Sequence, residues 1–277
     1  MTSPSIIDTH CHLDFPAFDH DREAVLKRCA EKNIEHIIVP GVTAETWPRT
    51  IKLCSQYQQT HLALGMHPMF IDEHQPQHLN ELDAVVQNNA PIAIGEIGLD
   101  YFQAKPNELQ GKRNASEELQ REKQRLFFTK QLIIANHHQL PLIIHNRKAH
   151  DDCLHLLTQT SSLGGIIHAF NGSIQQAEKY IELGFLLGFG GMLTFERSSK
   201  LRKLVKDIPL SSIVLETDAP DMTVAQHKGE RNSPEFVTYV LNEVANIKQV
   251  STTEVAQSTN ENVRRVFFSL SSEQNRT

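Results

Sequence analysis

The sequence predicts a single α/β domain, a (β/α)₈ TIM barrel over residues 1–277. The chain has 277 residues, and a barrel of this kind typically takes about 250. About eight short apolar runs alternate with longer segments of helical periodicity, which is typical of a parallel sheet wrapped by helices. Several runs end in a histidine or an acidic residue, as expected where a barrel carries its active site.

The strand candidates are near-continuous apolar runs, as expected for strands that are buried on both faces. No linker, internal repeat or low-complexity tract interrupts the series, so we expect one domain. The candidates are Ser5–Thr9, His36–Pro40, Leu62–Met66, Ile92–Glu96, Leu142–His145, Gly165–Ala169, Phe185–Phe189 and Ile213–Thr217.

The segments between the runs carry apolar residues at helical spacing. A final helix near Thr253–Phe268 would close the domain. Two long polar segments, Tyr101–Ser116 and Ala219–Ser233, follow the fourth and the eighth strand, and we expect each to form a substrate loop. The apolar stripe of the helix after the fourth strand is predicted to consist of Leu119, Leu126, Phe127, Ile133 and Ile134.

Composition and charge limit the class of protein. Hydrophobic residues make up 39% and charged residues 22% of the chain, which is typical of a folded globular protein. The formal net charge of -6 argues against a protein that coats duplex nucleic acid, because such proteins neutralise phosphates with Lys and Arg. The cysteines form no C-x-x-C pair, and no signal peptide or membrane span is apparent. We expect a cytoplasmic protein with no membrane attachment and no obligate protein partner.

The first motif that indicates chemistry is Asp8-Thr9-His10-Cys11-His12, at the end of the first predicted strand. Side chains alternate along a strand, so His10 and His12 point to the same face and could hold one metal ion. An H-x-H pair also occurs by chance on protein surfaces, but its position at a strand end favours a metal site.

Four further strands deliver side chains of the same kind to the same rim. Glu96 ends the fourth strand and His145 ends the fifth, while His168 lies near the end of the sixth and Asp218 follows the eighth. Such groups are costly to bury unless they are paired or bound to metal. Each alone could be a hydrogen-bonded core residue, but together they predict one metal centre at the carboxyl rim.

Four imidazoles and two carboxylates suit Zn²⁺, Mn²⁺ or Mg²⁺ and exceed what one tetrahedral site takes. We therefore predict two divalent ions, which would clamp the attacking and leaving oxygens of a hydrolytic displacement. Asp218 would accept the proton of the attacking water. The predicted ligands of the first ion are His10, His12 and Asp218. Those of the second are His145 and His168, with Glu96 as the catalytic bridge between the two.

Three acidic residues near the predicted ligands leave two interpretations open. Glu216 lies two residues before Asp218, and Asp8 lies two residues before His10. Each could orient a metal ligand through a hydrogen bond, or be a buried, hydrogen-bonded acid with no role in the site. Asp100 could serve the chemistry or cap a loop.

Six motifs occur along nearly the whole chain: D-T-H-C-H-L-D, G-M-H-P, G-E-I-G-L-D, I-I-H-N-R-K-A-H-D-D, I-I-H-A-F-N-G-S and L-E-T-D-A-P. In this order they resemble the TatD family of metal-dependent deoxyribonucleases, and I-D-T-H-C-H and E-T-D-A-P-D-M resemble its YjjV-like branch. The combination is highly specific, although each motif alone is not.

The resemblance implies a TIM barrel, a divalent metal centre formed by the same six residues, and hydrolysis of phosphodiester bonds in DNA. It implies 3′-to-5′ exonuclease activity, with single strands or 3′ ends as substrate. It also implies that His67 and Arg147 contact the substrate phosphate, since one can donate to an anionic oxygen and the other can fork around it. From the residues alone, His67 could instead be a packed rim histidine, and Arg147 could pair with Asp151 or Asp152.

The sequence departs from the family pattern near the pocket. Ala169 and Asn171 stand where Cys and Thr are frequent, and Met222-Thr223-Val224 lacks the usual proline. These departures bear on substrate preference, because the segments flank the predicted site.

Two other functions remain open. An amidohydrolase-like or phosphoesterase enzyme acting on a small ester, amide or phosphoester would use a similar ligand set, although many such enzymes bridge their metals with a modified lysine where this chain has Glu96. A non-catalytic metal or nucleic-acid binding module would be expected to lack a ligand, and none is missing. A basic cluster at helical spacing, which is also typical of a solvated face, consists of Lys200, Arg202, Lys203 and Lys206.

Overall fold

The computed structural model describes residues 5–102 and 115–268, and in this part of the chain eight parallel strands form one sheet in sequence order. The predicted (β/α)₈ barrel is confirmed. Most of the predicted loop Tyr101–Ser116 lies outside the described residues. The strands are β1 Ile6–Asp8, β2 Ile34–Pro40, β3 Thr60–Leu64, β4 Ala93–Asp100, β5 Leu142–Arg147, β6 Gly165–Ile167, β7 Phe185–Phe189 and β8 Ile213–Leu215.

The helices lie between and after the strands, as the alternating pattern predicted. Helix α9 and the π-helical turn that follows it, Arg264–Phe268, confirm the predicted final helix. No helix within the described ranges is long and apolar enough to cross a membrane. The helices are α1 Arg22–Glu31, α2 Trp47–Gln56, α3 Pro76–Asn89, α4 Ala115–His137, α5 His150–Gln159, α6 Ile174–Glu182, α7 Ser199–Asp207, α8 Val237–Lys248 and α9 Thr252–Val263.

The barrel closes between its first and last strands. The backbone N–H of Thr9 donates to Leu215 O at 3.0 Å, and that of Asp218 donates to His10 O at 2.8 Å. Cys11 and Ala219 form a parallel bridge just beyond these bonds. The seam therefore joins the segments that carry His10 and Asp218, two of the predicted ligands.

Strands β4 and β5 extend further towards the carboxyl rim than the apolar runs predicted. Their ladder continues through the pairs Leu99–Asn146 and Asp100–Arg147, because backbone pairing persists after the side chains have become polar. Asp100 therefore lies on β4 itself, four residues after Glu96 and on the same face.

One layer of apolar side chains fills the interior of the barrel, with one residue from each strand. Val263 and Phe267 belong to the same cluster and close the amino end, so the carboxyl end is left for the site. The layer consists of Ile7, Ile38, Ala63, Ala93, Ile143, Ile166, Leu186 and Val214.

The predicted stripe of α4 is wrong for three of its five residues: Leu119, Leu126 and Ile133 are 66%, 54% and 51% exposed. The helix instead buries a face with two glutamines, Gln124 and Gln131. The physical reason is that each of these amides pairs with strand backbone, a contact that hydropathy does not reveal.

The two glutamines act as clamps on the rim. Gln124 accepts from the N–H of Asp100 and donates to its carbonyl, both at 2.9 Å. Gln131 does the same with Met66, at 2.7 and 3.3 Å. Helix α4 thereby fixes the backbone just after β3, directly before His67, and the carboxyl end of β4.

A test of the barrel packing compares two glycines with positive φ at the entries to β6 and β7. A Cβ at Gly165 (φ 148°) would lie 2.0 Å from Leu142 O, whereas a Cβ at Gly184 (φ 85°) has 3.8 Å to its nearest neighbour. We expect Gly184→Ala to lower the free energy of unfolding by about 1–2 kcal/mol. Gly165→Ala should lower it by a further ~1–3 kcal/mol, because the overlap involves backbone that cannot move aside. Urea denaturation measures both; equal losses would contradict the predicted clash.

Candidate metal centre

The carboxyl rim brings the six predicted metal ligands into one cluster, with Glu96 at its centre. Glu96 is 1% exposed. Its Oε2 atom lies 3.0 Å from His10 Nε2, and its Oε1 atom lies 3.0 Å from His145 Nδ1. His168 Nε2 is 3.9 Å from the same Oε1 atom. Glu96 thus lies between the imidazoles of the first, fifth and sixth strands, and its bridging role stays a prediction.

His10 and His12 converge, as strand alternation predicted. Their Nε2 atoms are 3.3 Å apart, and Asp218 Oδ1 lies 3.8 Å from the first and 3.7 Å from the second. Burial lowers the pKa of His12 to about 4 and that of His10 well below its ordinary value, so both rings are neutral. Two neutral imidazoles and a carboxylate are a ligand set for a divalent cation.

His168 joins the cluster beside His10 rather than beside His145. Its ring stacks on His10 with 3.6 Å between centroids, whereas the centroid of His145 is 6.3 Å away. The structure forms three ligand groups at the rim: His10–His12–Asp218, His10–Glu96–His168 and His67–Glu96–His145. The first group is the predicted ligand set of the first ion, but the other two separate His145 from His168, which were predicted to share the second ion. The division between two ions stays a prediction.

Glu216 lies fully buried beside His168. Its Oε1 atom is 3.1 Å from His168 Nδ1 and accepts a hydrogen bond from the N–H of Ala169 at 2.7 Å. Burial would lower the pKa of His168, but Glu216 and Asp218 outweigh this effect and raise it to about 10. A carboxylate on Nδ1 orients the ring so that Nε2 faces the cluster, as is usual for metal-ligating histidines.

Asp100 contacts His145, a role that the sequence left undecided. Its Oδ2 atom is 3.1 Å from His145 Nε2, while Glu96 occupies the other ring nitrogen. Burial would lower the pKa of His145, but the contacts with Asp100 and Glu96 raise it to about 9. The spacing of Asp100 and Glu96 on one strand face was the available sequence signal.

His67 also reaches Glu96, with 3.1 Å between its Nε2 atom and Oε1. Its Nδ1 atom accepts a hydrogen bond from the N–H of Met69 at 3.0 Å. Burial lowers the pKa of His67, so the ring is neutral and its proton resides on Nε2. In this tautomer His67 is a hydrogen-bond donor towards the cluster, as a phosphate-contacting residue would be.

Asp8 is a buried acid that binds backbone rather than a ligand ring. It accepts hydrogen bonds from the N–H of His10 at 3.2 Å and from the N–H and hydroxyl of Thr217 at 2.9 and 2.6 Å. These bonds span the barrel seam. Asp8 therefore holds the backbone before His10 against the backbone before Asp218.

The inward-facing atoms fit divalent cations. Nε2 of His10, Nε2 of His12 and a Glu96 oxygen lie within 3.0 to 3.5 Å of one another. Burial would raise the pKa of Glu96, but the neighbouring His67 and His10 hold it well below its ordinary range. Two neutral imidazole nitrogens and an ionised carboxylate oxygen that lie this close together direct their lone pairs into the same space. A single divalent cation bound there would accept all three lone pairs.

A cavity of about 730 Å³ opens from the cluster and is lined by His145, His168 and Asp218. Arg147, predicted to bind phosphate, lies on its wall and is exposed. Within the described chain Arg147 makes no ion pair, and its guanidinium stacks 3.7 Å above the ring of Phe102. The predicted alternative, a pair with Asp151 or Asp152, is therefore not the arrangement found.

The basic cluster of α7 is largely neutralised by its own neighbours. Arg202 Nη1 is 2.6 Å from Glu243 Oε1, and Lys203 Nζ is 2.9 Å from Asp207 Oδ2. Lys200 lines the large cavity. The surface of α7 therefore resembles a solvated helix face, with Lys200 at the edge of the site.

The carboxyl rim of a (β/α)₈ barrel is where enzymes of this fold carry out their chemistry. Imidazoles and carboxylates gathered there place the chain among the metal-dependent hydrolases. Within that class the chain belongs to the TatD family, whose model, described as TatD related DNase, matches residues 7–268. The resemblance found in the motifs is thereby confirmed.

Relatives of the family match over almost the full chain. The uncharacterized metal-dependent hydrolase YjjV of Escherichia coli K12 is 37% identical over 264 residues, which cover 94% of this chain and 97% of YjjV. YabD of Bacillus subtilis 168, a hydrolase named in the same way, is 33% identical and covers 95% and 98%. The crystal structure of Escherichia coli YjjV superposes with a TM-score of 0.86 at 36% identity, covering 95% and 97%. The names of these relatives describe metal-dependent hydrolases and do not specify a substrate.

The role of Glu216 can be tested through two nearby glycines, Gly188 in β7 and Gly190 just after it. A Cβ at Gly188 would lie 2.3 Å from Glu216 Oε2, whereas one at Gly190 has no contact below 3.4 Å. We expect Gly188→Ala to displace Glu216 from His168 and weaken divalent-ion affinity by about 10- to 100-fold. Gly190→Ala should stay near the wild-type affinity. Calorimetric titration of chelator-treated protein measures both; unchanged affinity in a folded Gly188→Ala protein would show that Glu216 does not orient a ligand.

Proposed function

We propose that the protein is a divalent-metal-dependent deoxyribonuclease that removes nucleotides from 3′ ends of DNA. The observation that carries this proposal is the opening of the ligand cluster into the same cavity as the guanidinium of Arg147, which makes no ion pair among the described residues. A phosphodiester is anionic, and its hydrolysis needs both a cation-supported centre and a group that grips the phosphate. The family description, TatD related DNase, supports the same substrate class.

The six clustered side chains would hold two divalent ions, and Glu96 would bridge them. Bound divalent ions supply Lewis-acid polarisation of the phosphoryl group and a lower pKa for an attacking water. The protein's own contribution is the fixed position of the ligand atoms, since Glu96 lies 3.0 to 3.5 Å from four imidazole nitrogens. Zn²⁺, Mn²⁺ and Mg²⁺ all remain candidates for this set.

Asp218 would accept the proton of the attacking water. Its side chain is 16% exposed, against 2% for Glu96, and it lines the cavity that a substrate would enter. Burial raises the pKa of Asp218 to about 7, within the range in which a carboxylate can take and release a proton at neutral pH. Its ionised form would then be restored when the product leaves.

Arg147 and His67 would hold the phosphate. The guanidinium of Arg147 can donate two parallel hydrogen bonds to phosphate oxygens, and stacking on Phe102 restricts its orientation. The Nε2 proton of His67, which lies towards Glu96 Oε1 at 3.1 Å, would also be within reach of a phosphate oxygen that entered the cluster. Both groups would stabilise the charge that builds up on the phosphoryl oxygens during displacement.

A second candidate is the hydrolysis of a small ester or phosphoester with an apolar group. The observation that favours it is the far wall of the cavity, where Phe189, Met192, Leu201 and Leu204 present apolar side chains. Such a wall would bind a hydrophobic substituent in a mostly apolar pocket. It would equally accept the face of a nucleobase, so the substrate assay must decide.

The deciding experiment follows a 5′-labelled single-stranded oligonucleotide with wild-type, chelator-treated and Glu96→Ala protein. We expect stepwise shortening that chelation abolishes, that added Mn²⁺ or Zn²⁺ restores, and that Glu96→Ala reduces to background, because the cluster loses its central carboxylate. Glu31→Gln, which alters an exposed acid on α1, is the control. Near-normal turnover by Glu96→Ala would contradict the bridging role. No cleavage by metal-loaded wild type, together with hydrolysis of an aryl ester, would favour the second candidate.

The number of ions is tested separately by elemental analysis. We expect two equivalents per chain in the metal-loaded wild type and fewer in both His12→Ala and His145→Ala, because these residues lie in different ligand groups. Thermal unfolding in chelator serves as the control, since the variants should then differ little from wild type. A single equivalent in the wild type would rule out the two-ion assignment and leave the ligand cluster in place.

A further inference from the structure

The large cavity continues past the metal-binding cluster. Its wall at Arg147, Asn171 and Gly172 is shared with a second cavity of about 410 Å³. This second cavity shares Lys148 and His150 with a third, of about 420 Å³. The second and third cavities therefore adjoin the large one in turn, and together they define a path from the edge of the cluster towards α4 and α5.

The path is lined by three cations, Arg147, Lys148 and Arg121. None of them makes an ion pair within the residues that the structure describes, although 27 basic side chains compete with 33 acidic ones in this chain. Cations on a concave surface that lack a partner in the protein are available to an anionic ligand.

Asp151 and Asp152 also line the third cavity, and both make hydrogen bonds to other side chains. Asp152 accepts a hydrogen bond from the hydroxyl of Tyr101 at 2.8 Å and lies 3.5 Å from Arg125. Asp151 accepts one from the amide of Gln176 at 3.0 Å. Among the described residues neither carboxylate forms an ion pair with Lys148, Arg121 or Arg147, so these three cations stay available to a ligand.

Two aromatic rings alternate with the cations. The guanidinium of Arg147 lies 3.7 Å from the ring centroid of Phe102, and that of Arg121 lies 4.5 Å from the centroid of Tyr101. Phe102 remains 48% exposed. Grooves that bind single-stranded nucleic acid combine the same two elements, cations that follow the backbone and aromatic faces on which unpaired bases stack.

We propose that the Phe102–Arg121–Arg147–Lys148 path binds the part of a single strand that lies beyond the cleaved bond. Lys148 and Arg121 would pair with successive phosphates, and Phe102 would stack on a base. The inference rests on the proposed function, since it requires a nucleic-acid substrate. It explains how a chain with a net charge of -6 can hold a polyanion: three cations that make no ion pair among the described residues lie close together beside the centre.

The test uses the metal-loaded full chain with Lys148→Glu, Phe102→Leu and the control Lys27→Glu, which makes the same charge change on exposed α1. Each protein is assayed on a long single-stranded oligonucleotide, on its duplex, and on bis(p-nitrophenyl) phosphate. The readout is the ratio of kcat/KM for the oligonucleotide to that for the small diester, so a general loss of activity cancels. Circular dichroism verifies that each variant is folded.

We expect Phe102→Leu to lower this ratio by about 5- to 150-fold, as loss of one stacked base would. Lys148→Glu should lower the ratio and reduce the slope of log KM against log salt by about 1, whereas Lys27→Glu should change neither. Unchanged ratios for both path variants, with active wild type on the oligonucleotide, would overturn the inference and leave the nuclease assignment intact. Hydrolysis of the small diester alone by wild type would overturn both. Equal losses on duplex and single strand would overturn the assignment of the path to unpaired bases.

Discussion

An ionised carboxylate in the interior of a barrel is the constraint on which the site depends. Glu96 is almost completely buried and ionised, and a charge in that position is unfavourable unless hydrogen-bond donors or cations surround it. Histidines from the ends of β1, β3 and β5 therefore have to reach it. Their convergence requires the barrel to be closed. His10, which contacts Glu96, is held next to Asp218 by contacts that cross the seam between the first and last strands.

A second set of buried acids holds the ligands in place without joining them. Asp8 binds the backbone across the seam, and Glu216 fixes both the ring of His168 and the N–H of Ala169. Ala169 and Asp218 adopt positive φ values of 43° and 58°, a conformation that non-glycine residues rarely take and that tends to persist at functional sites. The backbone thus turns sharply just after β6 and just after β8, next to the predicted ligands His168 and Asp218.

Most of the fold and the identity of the clustered ligands could be predicted from sequence. Buried parallel strands appear as apolar runs, and His10 and His12 had to share a face because strand side chains alternate. The sequence left the role of Asp100 open, because its contact with His145 depends on β4 and β5 pairing beyond their apolar parts. The alignment of Arg147 with Phe102 depends on long-range packing in the same way, so the path beside the centre became visible only in three dimensions.

The face of α4 shows a different limit of hydropathy. Gln124 and Gln131 pair donor with acceptor against Asp100 and Met66, as a neighbouring strand would. These pairs are satisfied at only one rotation of the helix about its axis, so amide geometry, in addition to apolar packing, sets the azimuth of α4. A redesign of this barrel that replaces the buried glutamines of α4 with leucine would make the buried face more hydrophobic. It would also remove the hydrogen bonds that stop the helix from rotating. The backbone near His67 would then lose its fixed position.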